Sequence, residues 1–360
     1  MKIHINVLIA CDCKEKDDNH FVHVLRDSLR DVGVNVTTST EEFWNPSKHY
    51  DIVHFQWPEA VSVGVGRIHL AALAGRLRRF EEEGTKFALT RHNEISHRSQ
   101  TEGVRSLYRL VESSCDVVFH MGEYSKNNMP AANRKPGSVH CVVPHFIYPV
   151  VPRMDKAESR VALGIPSSAK VVLAFGDFRA DEEREMVLSI AKKLKRVQIK
   201  MIAPRLFETP IHGHGKIAAC RELRHRLRFL KYGLFLKRYS FVSDIEMSRL
   251  FSACDVVLIQ RKRILNSGNV PMGYYFGKTV AGPDLGNVGE ILRHTGNPIF
   301  DPEDVDSAAK AVREAFALAE KGKGKENRRY AEVNWTPEIC ARSIVNGYTS
   351  IMSLTPQGGF

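Results

Sequence analysis

The sequence contains no long hydrophobic run. None of its apolar stretches approaches the ~20 residues that a membrane-spanning helix requires, so it predicts no membrane span. The apolar stretch nearest the N-terminus, Ile3–Ala10, is short and is interrupted by His4 and Asn6. We therefore interpret it as a first buried strand and not as a signal segment. Low-complexity tracts are also missing, and 43% hydrophobic with 26% charged residues excludes long disorder.

Cysteine is scarce and scattered. The seven cysteines are an odd number without the spacing of a disulfide framework, which predicts a reducing, cytoplasmic environment. Cys11 and Cys13 are followed by His20 and His23, but this spacing does not match a zinc-finger pattern. We therefore predict no metal site.

Acidic residues are outnumbered by basic ones. The chain has 41 Asp and Glu against 52 Lys and Arg, a formal net charge of +11. This excess allows nucleic acid, an anionic membrane surface or a phosphorylated substrate as partner, and it is also compatible with plain solubility. Aromatic residues do not interleave with a basic stripe as they do in single-strand binders, so we predict no nucleic-acid partner.

Short apolar segments alternate with amphipathic segments along the whole chain. Strands are predicted at Ile3–Ala10, Asp51–Trp57, Lys86–Arg91, Asp116–His120, Ser138–Val143, Lys170–Phe175, Gln198–Ala203, Asp255–Gln260 and Thr279–Ala281. Helices between them predict an α/β protein with doubly wound parallel sheets covered on both faces. A length of 360 residues suits two domains, and the prolines between Pro144 and Pro152 predict a linker. We expect domains at 1–150 and 151–335 and a helical tail at 336–360.

A loop in the second half of the chain is predicted to bind an anion. Ser267, Gly268 and Asn269 lie where a helix is expected to begin, directly after the cations of Arg261–Arg263. The first N–H groups of a helix have no intrahelical partner, so together with these cations they would suit a diphosphate. A solvated basic loop is the alternative. Further on, Glu290 would serve either as a carboxylate near a nucleotide or as a charge at a helix N-terminus.

Polar residues also follow two predicted strands of the first half. An aromatic ring and a carboxylate at a strand end, as in Trp57 and Glu59, suit the face and hydroxyls of a sugar. His54, within that strand, is expected to be a core histidine. His92 and Asn93 follow the next strand, where a histidine with the usual pKa of ~6.5 would stabilise phosphate charge or bond a sugar hydroxyl. The alternative is that they only cap the next helix.

These motifs resemble the retaining nucleotide-sugar glycosyltransferases of family four. Thr90–His97 is similar to the family's T-x-H-N-x-x-x-H stretch, Phe276–Val280 to its F-G-K-P-V strand, and Phe175–Glu183 to F-G-R-I-R-P-Y-K-G. The resemblance implies the GT-B architecture, in which two Rossmann-like domains face each other across a cleft and a C-terminal helix crosses back to the first domain. It also implies transfer of a sugar from a nucleoside diphosphate sugar to a hydroxyl acceptor with retention of configuration. No protein nucleophile, metal or other cofactor would be required.

The resemblance implies roles for individual residues. Those expected at the donor diphosphate are Arg179, Arg184, Arg261, Ser267, Gly268 and Asn269, with Glu290 near the nucleotide or sugar. The catalytic residues at the transferred sugar would be His92 and Asn93. The residues expected on the acceptor side are Trp57, Glu59, His97 and His145. The acceptor would be a glycan, a polysaccharide or a lipid-linked intermediate, and the enzyme would work in the cytoplasm, peripherally at the inner face of the membrane.

The sequence departs from the family pattern at two places. Asp177 and Glu182 stand where the family has an arginine and a lysine for the diphosphate. Ile264 and Met272 stand at the positions of its acidic pair. A carboxylate near a diphosphate is unfavourable unless it is turned away or paired. A catalytically silent GT-B subunit that only binds nucleotide sugars is therefore the alternative prediction.

A basic segment with regularly spaced leucines lies in the second half. Cys220–Tyr239 holds seven Lys or Arg against one Glu, and Leu223, Leu227, Leu230 and Leu234 fall on one helical stripe. This pattern predicts a helix whose leucines face the core and whose basic residues face solvent. Contact of the segment with anionic lipid is the alternative.

Overall fold

The protein is described by a computed structural model for residues 5–13, 20–62, 69–96, 100–207, 216–233 and 242–353. The chain forms two compact units, one of Met1–Phe146 together with Trp335–Phe360, the other of Ile147–Asn334. No helix in the described ranges combines the length and the apolar composition that crossing a bilayer requires.

A parallel sheet forms the centre of the first unit. In its described part the strands are β1 (Asn6–Ile9), β2 (Asn35–Thr38), β3 (Ile52–Phe55), β4 (Lys86–Arg91), β5 (Val117–His120) and β6 (Val139–Val142), in the spatial order β2-β1-β3-β4-β5-β6. Every residue of β3 and β5 is buried, as expected of strands covered on both faces. Because neighbouring strands run parallel, their carboxyl ends lie along one edge of the sheet.

Helices connect these strands. They are α1 (His20–Asp31), α2 (Thr40–Trp44), α3 (Leu70–Glu82), α4 (Glu102–Ser114) and α5 (Glu123–Asn127). A short 3-10 helix, Pro58–Ser62, follows β3. The first turn of α4 is capped by Thr101, whose hydroxyl oxygen accepts the backbone N–H of Val104 at 3.4 Å.

The second unit contains a parallel sheet of its own. Within the described residues it has β7 (Lys170–Leu173), β8 (Ile199–Ile202), β9 (Val256–Leu258), β10 (Thr279–Pro283) and β11 (Ile299–Phe300), in the order β11-β10-β9-β7-β8. Its helices are α6 (Lys156–Ala162), α7 (Asp181–Leu194), α8 (Lys216–Tyr232), α9 (Asp244–Ala253), α10 (Asn269–Tyr275), α11 (Gly286–His294), α12 (Val305–Glu320) and α13 (Lys323–Asn334). The predicted class, an α/β protein with two parallel-sheet domains, is confirmed.

The Gly277-Lys278 pair organises the fold of the second unit. Gly277 has a φ of 65°, a left-handed conformation that lets the chain turn from α10 into β10. The buried Lys278 ammonium donates hydrogen bonds to the backbone carbonyls of Ser252 (2.9 Å) and Cys254 (2.8 Å) at the end of α9. Burial lowers the pKa of Lys278. The pair therefore joins three elements of the unit.

The last helix, α14 (Pro337–Met352), packs within the first unit against α1 and the β5–β6 side of the sheet. Its Tyr348 hydroxyl shares a 2.6 Å hydrogen bond with Nδ1 of His54, whose Nε2 lies 2.9 Å from the Thr90 hydroxyl. Burial lowers the pKa of His54 to about 3, so the ring is neutral. His54 is thus a core histidine with both nitrogens bonded, as expected.

Candidate functional site

An arginine cluster lies beyond the carboxyl ends of β7 and β9 in the second unit. Arg261 is 8% exposed, and one of its terminal nitrogens donates to Oε2 of Glu183 (2.7 Å) and to the carbonyl of Asp177 (2.6 Å). The same Glu183 oxygen accepts the backbone N–H of Arg179 at 2.8 Å. Glu183 therefore holds Arg261 and the loop of Arg179 in one fixed arrangement.

Gly176 gives this loop its path. Its φ of 97° is left-handed, a conformation that other residues rarely adopt. A Cβ atom at this position would lie 3.7 Å from Nδ2 of Asn269 and 3.8 Å from the second terminal nitrogen of Arg261. The sharp turn after β7 thus brings three predicted donor-binding segments side by side.

The cluster keeps a positive charge although Glu183 is part of it. Partial burial and, after that, the nearby cation of Arg261 lower the pKa of Arg179 to about 10. Its guanidinium therefore remains protonated at neutral pH, and part of its surface reaches solvent. The cluster holds two cations, Arg179 and Arg261, and one buried carboxylate, Glu183. The Asp177 carboxylate is paired with Arg205 at 2.7 Å. A carboxylate near a diphosphate is unfavourable unless it is paired, and Asp177 meets this condition through Arg205.

The loop before α10 differs from the expectation of unpaired amides. The N–H of Asn269 donates to the hydroxyl of Ser267 at 3.3 Å, and the N–H of Val270 donates to the Ser267 carbonyl at 3.2 Å. Gly268 is the N-cap of a helix of only two turns, so the helix dipole is short. The Asn269 side chain donates to the carbonyl of Phe175 at 2.8 Å. Asn269 therefore fixes this loop to the segment that follows β7, while Ser267 accepts two backbone N–H groups of its own turn. The charge of the site comes from the arginines.

Two further residues, Arg184 and Glu290, were expected at the diphosphate or nucleotide. Arg184 is 1% exposed, and its guanidinium donates to the carbonyl of Leu206 at 2.9 Å and to the carboxylate of Asp181. Because it is part of the interior, we exclude it from the site. Glu290 is half-buried within α11, beyond the first turn, so it is not the charge at a helix N-terminus that one interpretation expected.

A second polar cluster lies at the ends of β3 and β4 in the first unit. The rings of His92 and Trp57 stack with centroids 4.4 Å apart, and Phe21 contacts His92 edge-on at 4.5 Å. Nε2 of His92 lies 2.9 Å from Oε1 of Gln56. Because an amide oxygen only accepts, the hydrogen of this bond is on Nε2 of His92, and the Nε2–H group donates the hydrogen bond to Gln56.

His92 is neutral. Burial, followed by the neighbouring His145 and His54 rings, lowers its pKa well below 6.5. The expectation of a histidine with an ordinary pKa is therefore wrong, and a cationic role at neutral pH is excluded. A neutral ring acts by hydrogen bonding, as toward a sugar hydroxyl. The capping alternative is also excluded, because α4 begins at Glu102 and is capped by Thr101.

A small pocket opens beside this histidine. It is lined by Gln56, Trp57, Pro58, Leu89, Thr90, Arg91, His92, Asn93, Tyr108 and Glu112, and it leaves room for about one water molecule. Two of the lining residues, Arg91 and Glu112, form a buried ion pair at 2.9 Å. The Tyr108 hydroxyl donates to Glu59 at 2.7 Å and also bonds the Asn93 side chain. The structure therefore brings Trp57, Glu59, His92 and Asn93 together.

Two other histidines were expected on the acceptor side. His145 is half-buried, donates from Nδ1 to the carbonyl of Phe146 at 3.0 Å, and contacts Phe21. Burial lowers its pKa to about 4, so it joins the His92 cluster as a neutral ring. His97 lies outside the described residues.

Glu183 and Gln56 are the residues of these clusters that sequence reasoning missed. Glu183 stands where the family's F-G-R-I-R-P-Y-K-G stretch has a glycine, and Gln56 stands where similar H-x-H-W-P-E stretches of the family have their second histidine, so neither was proposed. Gln56 is 1% exposed, and its Nε2 has no hydrogen-bond partner within the described ranges. For Gln56 the available signal was a polar residue at the end of a predicted strand.

Solved structures that superpose on this chain include glycosyltransferases of the GT-B fold. Sucrose-phosphate synthase from Thermosynechococcus elongatus superposes with a TM-score of 0.72 at 12% identity, covering 98% of this chain and 100% of that one. HepE from Anabaena, solved with UDP and glucose, superposes with a TM-score of 0.70 at 15% identity, covering 96% and 100%.

The catalytic domain of starch synthase IV from Arabidopsis thaliana, bound to ADP and acarbose, gives a TM-score of 0.64 at 11% identity, covering 97% and 99%. Neither a protein-family model nor a curated protein matches this chain. At such low identity these similarities establish the GT-B fold and leave the activity to be argued from the residues.

Proposed function

We propose that this protein is a glycosyltransferase that transfers a sugar from a nucleoside diphosphate sugar to a hydroxyl acceptor. The observation that carries the proposal is the arginine cluster of Arg179, Glu183 and Arg261, located beyond the carboxyl ends of two adjacent parallel strands. Ligands of open α/β sheets bind at this edge. HepE and starch synthase IV, which share the fold, were solved with UDP and ADP.

The cluster suits a diphosphate in charge and in geometry. One terminal nitrogen of Arg261 is occupied by Glu183 and Asp177, while the other lies beside Gly176 and has no partner among the described residues. A guanidinium held from one side presents its remaining N–H groups in a fixed direction, which favours phosphate oxygens. Arg179 adds a second cation that reaches solvent. Together they would stabilise the charge that develops on a leaving diphosphate.

The expected mechanism needs no protein nucleophile. The acceptor oxygen bonds to the anomeric carbon while the bond from that carbon to the diphosphate oxygen breaks, and the acceptor proton passes to the leaving phosphate. Attack from the face that the diphosphate leaves retains the configuration of the sugar. We propose retention because the sequence resembles a retaining family. Neutral His92 and Asn93 would bond sugar hydroxyls, and the protein would contribute positioning and charge stabilisation. No metal is included in the proposal.

The acceptor side is proposed from chemistry of the first unit. Trp57 offers an aromatic face and Glu59 a carboxylate, a combination suited to a glycan, a polysaccharide or a lipid-linked sugar. We propose a cytoplasmic enzyme of this kind within family four, acting on a hexose or related sugar.

Nucleotide binding tests the proposal. Titration calorimetry with UDP, ADP and GDP, each with EDTA and then with Mg²⁺, should give binding of at least one nucleotide that does not need the metal. Arg261→Ala should weaken that binding by about 1–3 kcal/mol, the free energy of a lost charge-assisted hydrogen bond. Arg249→Ala, an exposed arginine on α9, is the matched control and should bind like the parent. Equal affinity of the Arg261 variant and the parent would remove the cluster from the donor site.

A catalytically silent nucleotide-sugar-binding subunit is the second candidate. It is favoured by Glu183, whose carboxylate already accepts a hydrogen bond from one terminal nitrogen of Arg261, the arginine that would hold the diphosphate. Turnover separates the two candidates. Release of nucleoside diphosphate from a panel of nucleotide sugars, with or without acceptor hydroxyls, supports the enzyme. Tight binding without release from any donor supports the silent subunit.

A further inference from the structure

The leucines of helix α8 face solvent. Leu223, Leu227 and Leu230 are 57%, 59% and 55% exposed, whereas His225 and Phe229 are almost fully buried. The prediction that these leucines face the core is therefore wrong for all three, and the fourth leucine of the predicted stripe, Leu234, lies outside the described residues. The helix is anchored from its opposite side, where Phe229 joins the core of the second unit. Three leucines spaced four and three residues apart form a continuous apolar stripe on the surface.

Basic residues border this stripe. The helix Lys216–Tyr232 has six Lys or Arg against the single Glu222. Arg224 and Lys231 are exposed next to the leucines in sequence, and neither forms an ion pair with any described residue. An apolar stripe bordered by cations is the pattern of helices that lie in the interface of a lipid bilayer.

We propose that the leucine face of α8 docks this protein on an anionic lipid bilayer. The leucines would enter the boundary between headgroups and acyl chains, and Arg224 and Lys231 would contact lipid phosphates while their aliphatic stems cover apolar surface. Charge complementarity favours an anionic bilayer over a second copy of the chain as the partner of this face. A second copy of the chain would place one basic helix against another, and like charges repel. The proposal does not depend on sugar transfer, because its test measures binding alone.

Flotation of the full-length protein with vesicles tests the apolar stripe. Vesicles of phosphatidylcholine with about a third phosphatidylglycerol should bind the protein, and vesicles of phosphatidylcholine alone should bind it much more weakly. Leu223→Ser, Leu227→Ser and Leu230→Ser combined should reduce binding at least about tenfold, because the inserted apolar area is lost. The control combines Val161→Ser, Ile245→Ser and Val333→Ser, three apolar residues of the same unit that are 82%, 51% and 60% exposed. It should bind like the parent.

Charge reversal tests the cations separately. Arg224→Glu with Lys231→Glu should reduce binding to the anionic vesicles about 25-fold or more, since each of the two cations near such a surface is worth roughly fivefold in affinity. Added salt should weaken binding of the parent in the same direction. The control is Arg249→Glu with Lys310→Glu, which changes the net charge equally at exposed positions on α9 and α12.

Three results would overturn the proposal. The parent does not float with anionic vesicles at low salt; the leucine variant binds as well as the parent; or the protein dimerises without lipid and the leucine variant is monomeric, which makes a second copy the occupant. Circular dichroism checks the folding of every variant. If the leucine variant does not fold, the charge-reversed variant and its control decide: equal binding by both contradicts docking through α8.

Discussion

Glu183 reduces the positive charge of the arginine cluster without removing it. Its carboxylate is 4% exposed and bonds both Arg261 and the amide of Arg179. A buried carboxylate so placed fixes the direction of Arg261, but it would also repel a diphosphate bound at the proposed site. The two effects predict opposite consequences of its removal, and a substitution that keeps the acceptor oxygen separates them.

Glu183→Gln is expected to tighten binding of the nucleoside diphosphate by about 1 kcal/mol, roughly fivefold, because a negative charge near the phosphates is lost while an acceptor for Arg261 remains. The free energy of unfolding should fall by about 1–3 kcal/mol, since the buried ion pair with Arg261 becomes a hydrogen bond from the guanidinium to an uncharged amide. Calorimetry and urea unfolding measure the two changes. Glu182→Gln, an exposed neighbour, is the control. Weaker binding by Glu183→Gln would show that orientation of Arg261 outweighs repulsion.

His92 is expected to act on turnover more than on donor affinity. Its neutral ring would bond a hydroxyl of the sugar, an interaction that strengthens as the sugar moves toward the transition state. His92→Ala should therefore lower kcat by roughly tenfold to a hundredfold with little change in the donor Kd.

Steady-state kinetics and calorimetry on His92→Ala give both quantities. A pH profile adds a check, because a ring with so low a pKa should produce no change in kcat near pH 6.5 in the parent. Parent-level turnover in the variant would contradict a role of His92 in the reaction.

Among the elements, the junction of α10, β10 and α13 depends on close backbone contact. A Cβ atom at Gly324, in α13, would lie 2.0 Å from the carbonyl oxygen of Gly277. No side-chain rotation relieves such a contact, because both groups are backbone. The motif that resembles F-G-K-P-V is thus explained here by packing, with Lys278 bonded to the end of α9.

Gly324→Ala is expected to lower the free energy of unfolding by about 3 kcal/mol or more, since the helix must move away from Gly277. Gly75→Ala is the contrasting control. A Cβ at Gly75, within α3, meets no atom within 4 Å, so alanine should stabilise the helix by up to about 1 kcal/mol. Urea unfolding of both variants measures the difference. Equal stability of Gly324→Ala and the parent would contradict the close contact.

At the scale of the whole molecule, buried neutral histidines make stability depend on pH. Burial lowers the pKa of His54 and His120 to about 3 and that of His145 to about 4. The unfolded chain takes up protons on these rings below about pH 6.5, where the folded protein does not. Stability is therefore complete above that pH and falls as the pH decreases toward the folded-state values.

Each such histidine should lower the free energy of unfolding by about 1.4 kcal/mol per pH unit below about 6.5. Glu112, whose pKa burial raises, works in the opposite direction at low pH. The variant His54→Gln removes one of these rings. Its free energy of unfolding, measured by urea unfolding, should decline less steeply between pH 6.5 and 5 than that of the parent. His49→Gln, whose side chain is 53% exposed, should leave it unchanged. Identical slopes for His54→Gln and the parent would contradict a neutral buried His54.

Much of the fold was predictable because strand and helix signals are local. The predicted strand Lys86–Arg91 is β4 with the same bounds. The short strand β2, Asn35–Thr38, was missed because four residues ending in two threonines carry little apolar signal. The orientation of the two domains across a cleft stays a prediction from the family resemblance.

The sequence by itself determined the α/β class and the positions where loops follow strands, since hydrophobic periodicity is a property of neighbouring residues. Only the tertiary structure decided which side chains meet. Glu183 and Arg261 are 78 residues apart, and Gln56 and His92 are 36 apart. The outward direction of the α8 leucines was decided in the same way, by which face of the helix finds a packing partner. Such choices depend on surfaces distant in sequence, and no local pattern encodes them.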